Sequence, residues 1–400
     1  MSIAISMFPT TPENARPIPY GRQDIDDADI AAVVSVLRSD YLTQGPAVGA
    51  FEAAVAKVSG ARHAVAVGNA TQGLHIACVA AGLGAGDLLW TSPISFLASA
   101  NCARYCGADV DFVDIDPDTY NMSPDALAAK LEAAEKAGRL PKVVVPVHLA
   151  GEPCAMDRIH ALSRRYGFAV IEDAAHAIGA RQGQAPIGSG PSLMSVFSFH
   201  PVKIVTTGEG GAVVTNDDAV ARRLRRLASH AMTRDPAEMD GPSDGPWYYQ
   251  QTELGFNYRM TDIQAALGVS QLKRIDAFIA RRHDIAAAYD ADFANLPVAP
   301  QRRDPANRSA LHLYVLRLRE GAAKLGHREA HERLRADGIL VNLHYIPIYL
   351  QPYYRKLGFL PGHCPEAERY YRQAISLPIF ATLSEAERRR VVEAVRRHCA

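Results

Sequence analysis

The chain has no excess of charge of either sign: 43 Lys and Arg stand against 43 Asp and Glu in 400 residues. A protein that grips nucleic acid through its phosphates needs a basic surplus or a basic stripe. Neither is present, so nucleic acid is not an expected partner. A long hydrophobic run is also missing. No apolar stretch approaches the roughly 20 residues that cross a bilayer, and Met1 to Tyr20 shows neither the apolar centre nor the cleavage signal of an export leader. The expectation is a cytoplasmic protein with no membrane partner. The six cysteines, Cys78, Cys102, Cys106, Cys154, Cys364 and Cys399, form no CxxC pair and have no His at zinc spacing. Cys102 and Cys106, four apart on an expected helix, read as small buried residues in a reducing compartment rather than metal ligands. No metal is expected. What remains is ordinary for a globular protein: 48% hydrophobic and 22% charged residues. The length suits a large domain with a smaller one beside it.

Over the first two-thirds, strand-like and helix-like segments alternate. Ile30, Val33, Val34 and Leu37 have the spacing of an amphipathic helix. Apolar runs at 64–67, 88–91, 110–113, 142–147 and 169–171 are separated by helical patterns, one of them capped by Ser123. Strands spaced by helices predict an α/β fold, with a mostly parallel mixed sheet between helices. Ligands of such sheets sit at the carboxyl ends of the strands. The polar residues that follow the apolar runs are therefore candidates: Asn69 to Thr71, Pro93 to Phe96, His148, Asp173 and Ser198. The aromatic, Gly- and Pro-rich stretch 234–256 predicts a functional loop. A long helical pattern starts at Thr261, and the sequence predicts a large domain over 1–265 and a small C-terminal α/β domain over 266–400.

Three features carry chemistry. Asp173 follows a strand-like run, where a carboxylate can face the ring nitrogen of a pyridine cofactor and keep it protonated. Lys203 stands in a loop after Ser198-Phe199-His200-Pro201-Val202, and a lysine so placed can form an imine with a carbonyl. The glycines that follow, Gly208, Gly210 and Gly211, let the backbone pass close to a bound group. Gly68-Asn69-Ala70-Thr71 makes a strand-to-helix turn whose free N–H groups and Thr71 hydroxyl suit a phosphate. Each feature has a plainer reading: a capping Asp, a surface lysine before a hairpin, a simple N-cap. Each plain reading covers one feature, whereas binding of pyridoxal 5′-phosphate (PLP) covers all three.

The same residues belong to longer stretches. Leu42-Thr43-Gln44-Gly45-Pro46, Asn69-Ala70-Thr71, Glu172-Asp173-Ala174-Ala175-His176, Ser198 to Lys203 and Asn257-Tyr258-Arg259-Met260-Thr261-Asp262 resemble the nucleotide-sugar aminotransferases of the DegT/DnrJ/EryC1/StrS family. The resemblance runs from Ile18 to the C-terminus and implies the PLP-dependent transferase fold of type I. It implies that Lys203 links covalently to PLP and then carries the proton. It also implies that Asp173 pairs with the ring nitrogen, that Phe96 stacks on the ring, and that Ala70, Thr71 and Ser198 hold the phosphate. His176 falls near the phenolic oxygen, where many relatives have Gln. Asn257 is implied to reach the phosphate from a second copy of the chain, which makes an obligate two-fold homodimer. Relatives that remove a sugar hydroxyl carry His in place of Lys203, so amine transfer from L-glutamate is expected. Ser92 to Phe96, Phe199 to Lys203 and Val341 to Pro347 resemble members that aminate carbon 4 of a UDP-linked 4-keto-6-deoxy N-acetyl sugar in pseudaminic acid synthesis. Another NDP-keto-sugar, a PLP sugar dehydratase and a non-catalytic regulator are the alternatives. Tyr20, Arg22, Arg259, His344 and Tyr345 are the candidates for substrate binding. The two guanidiniums suit a carboxylate or phosphate, or simply a surface ion pair.

Overall fold

A computed structural model describes residues 16–399. The leader reading over Met1 to Tyr20 therefore falls mostly outside the described residues. The chain runs through β1 (Ile18–Pro19), α1 (Asp27–Leu37) and α2 (Pro46–Ser59). Alternation follows: β2 (His63–Val67), α3 (Ala70–Ala80), β3 (Leu88–Thr91), α4 (Ala98–Tyr105), β4 (Asp109–Phe112), α5 (Pro124–Lys136), β5 (Val143–Val145), α6 (Met156–Tyr166) and β6 (Ala169–Asp173). A hairpin, β7 (Arg181–Gln182) and β8 (Ala185–Pro186), leads to β9 (Met194–Ser198), β10 (Gly211–Thr215) and α7 (Asp218–Ala228). Next come a ribbon of β11 (Met232–Thr233) and β12 (Gln250–Gln251), then α8 (Asp262–Leu272) and α9 (Ile275–Phe293). The C-terminal part holds β13 (Val298–Pro300), β14 (Tyr314–Leu318), α10 (His327–Ala336), β15 (Ile339–Leu340), α11 (Pro352–Arg355), α12 (Pro365–Tyr371), β16 (Ala374–Leu377) and α13 (Glu385–Cys399).

The central sheet has seven strands in the order β2-β10-β9-β6-β5-β3-β4. All its pairings are parallel except the two made by β10. This is the expected mostly parallel mixed sheet. The pleat sends successive side chains to opposite faces. Val65 and Val67 of β2 pack with Leu74, Ile76 and Leu224 on one side, while Ala64 and Ala66 pack with Phe51, Val55 and Leu272 on the other. Helices thus cover both faces. Two of them start with reciprocal caps, Asp26 with Asp29 for α1 and Thr261 with Gln264 for α8. Ser123 caps α5 as expected.

A second core gathers Ile18, Ile285, Tyr289, Leu316, Ile339 and Val391 around the antiparallel sheet β13-β14-β16 and the parallel pair β1-β15. The expected division at 265/266 falls inside α8. That helix packs Ala265 and Leu272 into the large-domain core, and α9 continues there with Ile275, Phe278 and Ile279. The two cores divide within α9, between Ile279 and Ile285. The N-terminal strand β1 meanwhile pairs with β15 in the C-terminal part. A continuous apolar stripe shared by two cores gives no break in the sequence pattern, and this hides the boundary. Among the described residues no helix is long and apolar enough to cross a membrane. Segment 234–256 forms the lobe of the β11–β12 ribbon, with Trp247, Tyr249 and Leu254 exposed.

Candidate active site

A cavity of about 830 Å³ opens at the carboxyl ends of β2, β6 and β9, and the three features read from the sequence meet in it. β6 ends in Asp173, β9 in Ser198, and β2 passes through Gly68 and Asn69 into α3. Asn69 caps α3 by accepting from the Gln72 N–H at 2.9 Å. The N–H groups of Ala70 and Thr71, in the first turn, have no intrahelical acceptor and form the positive end of the helix dipole. A Cβ on Gly211 would lie 2.7 Å from the Ala70 nitrogen. Only glycine lets β10 pass this close to the backbone of the turn.

Asp173 is buried, and its carboxylate is oriented on both oxygens. Oδ2 accepts from Ser99 Oγ at 2.5 Å, and Oδ1 accepts from the Ala175 N–H at 3.1 Å. Ser99 in turn shares a hydrogen bond of 2.6 Å with Ser95. A carboxylate offers about four acceptor positions, so room remains for the N–H of a pyridinium. Lys203 is half-buried at the cavity wall. Burial pushes its amine down to about 8, and the carboxylate of Asp173 offsets part of that fall.

The opposite wall comes from the C-terminal part. Tyr20, just past β1, and Asn342 to Tyr345, just past β15, line the cavity. The Tyr20 and His344 rings are 4.9 Å apart. His344 Nδ1 pairs with Ser376 Oγ at 2.8 Å. Tyr345 Oη lies 3.3 Å from His176 Nε2. Burial, with Lys203 nearby, pushes His344 down to about 3 and holds His176 and the adjacent His312 well below the ordinary imidazole range. All three rings are neutral at neutral pH. Phe96 sits at the mouth, 59% exposed, with its ring 6.4 Å from Tyr345.

Ten of the thirteen sequence-derived candidates therefore surround one space. Arg22, Arg259 and Asn257 do not line it within a single chain. Arg22 is exposed, its guanidinium 5.5 Å from the Phe380 ring centroid, and Arg259 donates to Ser229 Oγ at 3.1 Å. Asn257 is exposed, and its backbone bridges to Ser229. The arginines were singled out for side-chain chemistry alone, and chain direction takes them elsewhere. Sequence reasoning missed Ser99, Asn342 and Glu209. Ser95, within the nominated Pro93 to Phe96 stretch, precedes α4 and reaches Ser99 in its first turn.

The residues present fit PLP. A buried acid for the ring nitrogen, an amine for the aldehyde and a helix start for the phosphate border one cavity. The sequence profile of the DegT/DnrJ/EryC1/StrS aminotransferase family matches residues 23–396. The chain belongs to that family. Its members are PLP-dependent sugar aminotransferases, so the cofactor and the enzyme class are settled at that level. The chain is 39% identical over 383 residues to the spore coat polysaccharide biosynthesis protein SpsC of Bacillus subtilis, covering 95% of this chain and 96% of SpsC. It is similar to Helicobacter pylori PseC, an aminotransferase involved in pseudoaminic acid biosynthesis (TM-score 0.85, 30% identity, 96% of this chain and 99% of PseC). The PLP form of the putative sugar aminotransferase Spr1654 of Streptococcus pneumoniae has a TM-score of 0.85 at 30% identity, over 94% and 97% of the two chains.

Proposed function

We propose that this family member moves the amino group of L-glutamate to carbon 4 of a UDP-linked 4-keto-6-deoxy-N-acetylhexose. We also propose that it works as a homodimer in which Asn257 of one copy reaches the cavity of the other. The observation that carries the catalytic part is the meeting of Lys203 and Asp173 in one cavity above the α3 N-terminus. When bound, PLP supplies an aldehyde that takes up an amine and a ring that absorbs an electron pair.

The chain's own residues do the rest. Ala70, Thr71 and Ser198 bind the phosphate. Asp173, fixed by Ser99 and the Ala175 N–H, keeps a proton on the ring nitrogen. Lys203, depressed to about 8, is roughly one-quarter neutral amine at pH 7.5. A protonated lysine could neither attack a carbonyl nor accept a proton. With the cofactor bound, Lys203 would be the group placed to take up the proton from the amino-acid Cα and hand it on. Tyr20 and Asn342 offer the sugar hydrogen bonds without adding charge, and the neutral His344 ring, held between Ser376 and Asn342, supports that wall. Arg259 or Arg22 remains available to a carboxylate or phosphate in the assembled dimer.

The similarity to PseC supports the pseudaminic acid substrate. The identity to SpsC favours a second reading, another NDP-linked 4-keto-sugar destined for a surface polysaccharide. Mass spectrometry of the products from a panel of UDP- and dTDP-4-keto sugars with glutamate decides between them. Amination of the UDP-N-acetyl substrate alone supports the first reading, and amination of dTDP sugars only rejects it.

A further inference from the structure

Behind the cavity lies a fully buried pair that the proposed reaction does not use. His148 Nε2 is 2.8 Å from Glu172 Oε2, and the two side chains are 0% and 4% exposed. Glu172 precedes Asp173 on β6 and points to the opposite face of the strand. His148 Nδ1 accepts from the Cys154 N–H at 3.0 Å. Burial lowers the imidazole's proton affinity, but Cys154 and Glu172 together outweigh it and raise it to about 10. The Cys154 N–H nonetheless occupies the Nδ1 lone pair, so this geometry is that of a neutral ring donating from Nε2 to a carboxylate.

Both ends of the 148–154 turn are thereby pinned. Between them, Ala150 adopts φ 59° and Gly151 φ 94°. A non-glycine residue in the left-handed region costs roughly 1 kcal/mol or more, so the surroundings must hold it. The Leu149 N–H donates to Asn121 Oδ1 at 2.8 Å, and Gly151 O accepts from the Ala310 N–H at 3.0 Å. A Cβ on Gly151 would lie 2.8 Å from the His176 carbonyl oxygen. The product of this twist is one bond: the Ala150 N–H donates to His176 Nδ1 at 3.2 Å. A neutral imidazole that accepts at Nδ1 carries its proton on Nε2.

We propose that the His148–Glu172 pair is a positioning device that, through the Ala150 N–H, locks His176 as the Nε2–H tautomer, a hydrogen-bond donor aimed at Tyr345 Oη and the cavity. Lys203 and His344 face His176 across the cavity, His312 packs against its ring at 4.4 Å, and among the described residues no carboxylate is hydrogen-bonded to it. The Ala150 N–H is thus the fixed donor that His176 meets, whereas the Tyr345 hydroxyl can rotate to donate or accept. The catalytic consequence rests on the proposed cofactor site, where an Nε2–H would meet the phenolic oxygen of PLP. The tautomer itself belongs to the chain.

The test uses the full-length protein labelled with 15N-histidine, with and without PLP, and His176→Gln to assign the resonance. The expected spectrum shows His176 protonated on Nε2 and unprotonated on Nδ1, unchanged from about pH 8 to pH 6, the range in which a free imidazole titrates. Protonation on Nδ1, or titration near 6.5, overturns the proposal whatever the variants do. In His148→Phe the two tautomers are expected to mix and kcat to fall about tenfold with KM within twofold. Glu172→Gln keeps an acceptor oxygen for His148 and should retain the wild-type tautomer and rate. An unchanged His176 spectrum in folded His148→Phe overturns the positioning role. The spectrum without PLP tests the relay alone, and failure of PLP to bind counts against the cofactor site alone.

Discussion

The cavity has two walls, and they obey one rule to different degrees. Asp173 and Ser198 end, and the Asn69–Thr71 turn follows, strands of five residues each in the large sheet. Tyr20 and Asn342 follow β1 and β15, a parallel pair of only two residues each. Both walls place polar groups at the carboxyl ends of parallel strands. The first wall carries the charges, Asp173 and Lys203. The second is neutral at neutral pH, with His344 pushed down to about 3 and Tyr20 and Tyr345 held protonated by burial. The contrast assigns chemistry to one wall and recognition to the other.

Substitutions on the charged wall should break catalysis and leave binding less affected. Lys203→Ala should lower kcat by about ten-thousandfold or more, since it removes both the covalent anchor and the proton carrier. The protein should still fold, because the lost group is a partly desolvated amine; circular dichroism with single-turnover kinetics checks both. Asp173→Asn should lower kcat about a thousandfold by removing an oriented charge, and PLP should still bind, as seen by equilibrium dialysis.

Stability should register the neutral rings beside the charged wall. His176, His312 and His344 have folded-state values depressed below the unfolded 6.5. As pH falls below 6.5 the unfolded chain binds protons that the native rings refuse, so stability is lost on acidification. Each ring contributes roughly 1.4 kcal/mol of loss between pH 7.5 and 5.5, about 4 kcal/mol for three. Urea midpoints at the two pH values measure this, and equal midpoints would remove the claim that the rings are neutral. The smallest effect is expected on the second wall. Asn342→Ala should raise KM for the keto-sugar about tenfold with kcat within threefold. A fall in kcat with unchanged KM would erase the division of labour between the walls.

The walls also differ in how far the sequence betrayed them. Ala169 to Asp173 and Ala64 to Val67 are apolar runs ended by polar residues, so Asp173 and Thr71 stood out as site candidates. His344 and Tyr345 also follow a β-like run, but the structure reduces that run to the two residues of β15. A two-residue strand such as β15 leaves no apolar periodicity, and its pairing with β1 joins residues more than 300 positions apart. Ser99 was missed because its role depends on how α4 lies against β6, a tertiary fact. The place where the two cores divide is hidden for the same reason: α9 is one uninterrupted helix that feeds both. Arg22 and Arg259 show the converse. Side-chain chemistry nominated them, and the fold of one chain placed neither at the cavity.

The covalent role of Lys203 is tested most directly by borohydride reduction of the PLP-loaded protein, followed by peptide mapping. Reduction should leave a stable pyridoxyl group on Lys203 and on no other lysine. A label on a different lysine, or none on Lys203 in protein that binds PLP, would contradict the assignment of this cavity.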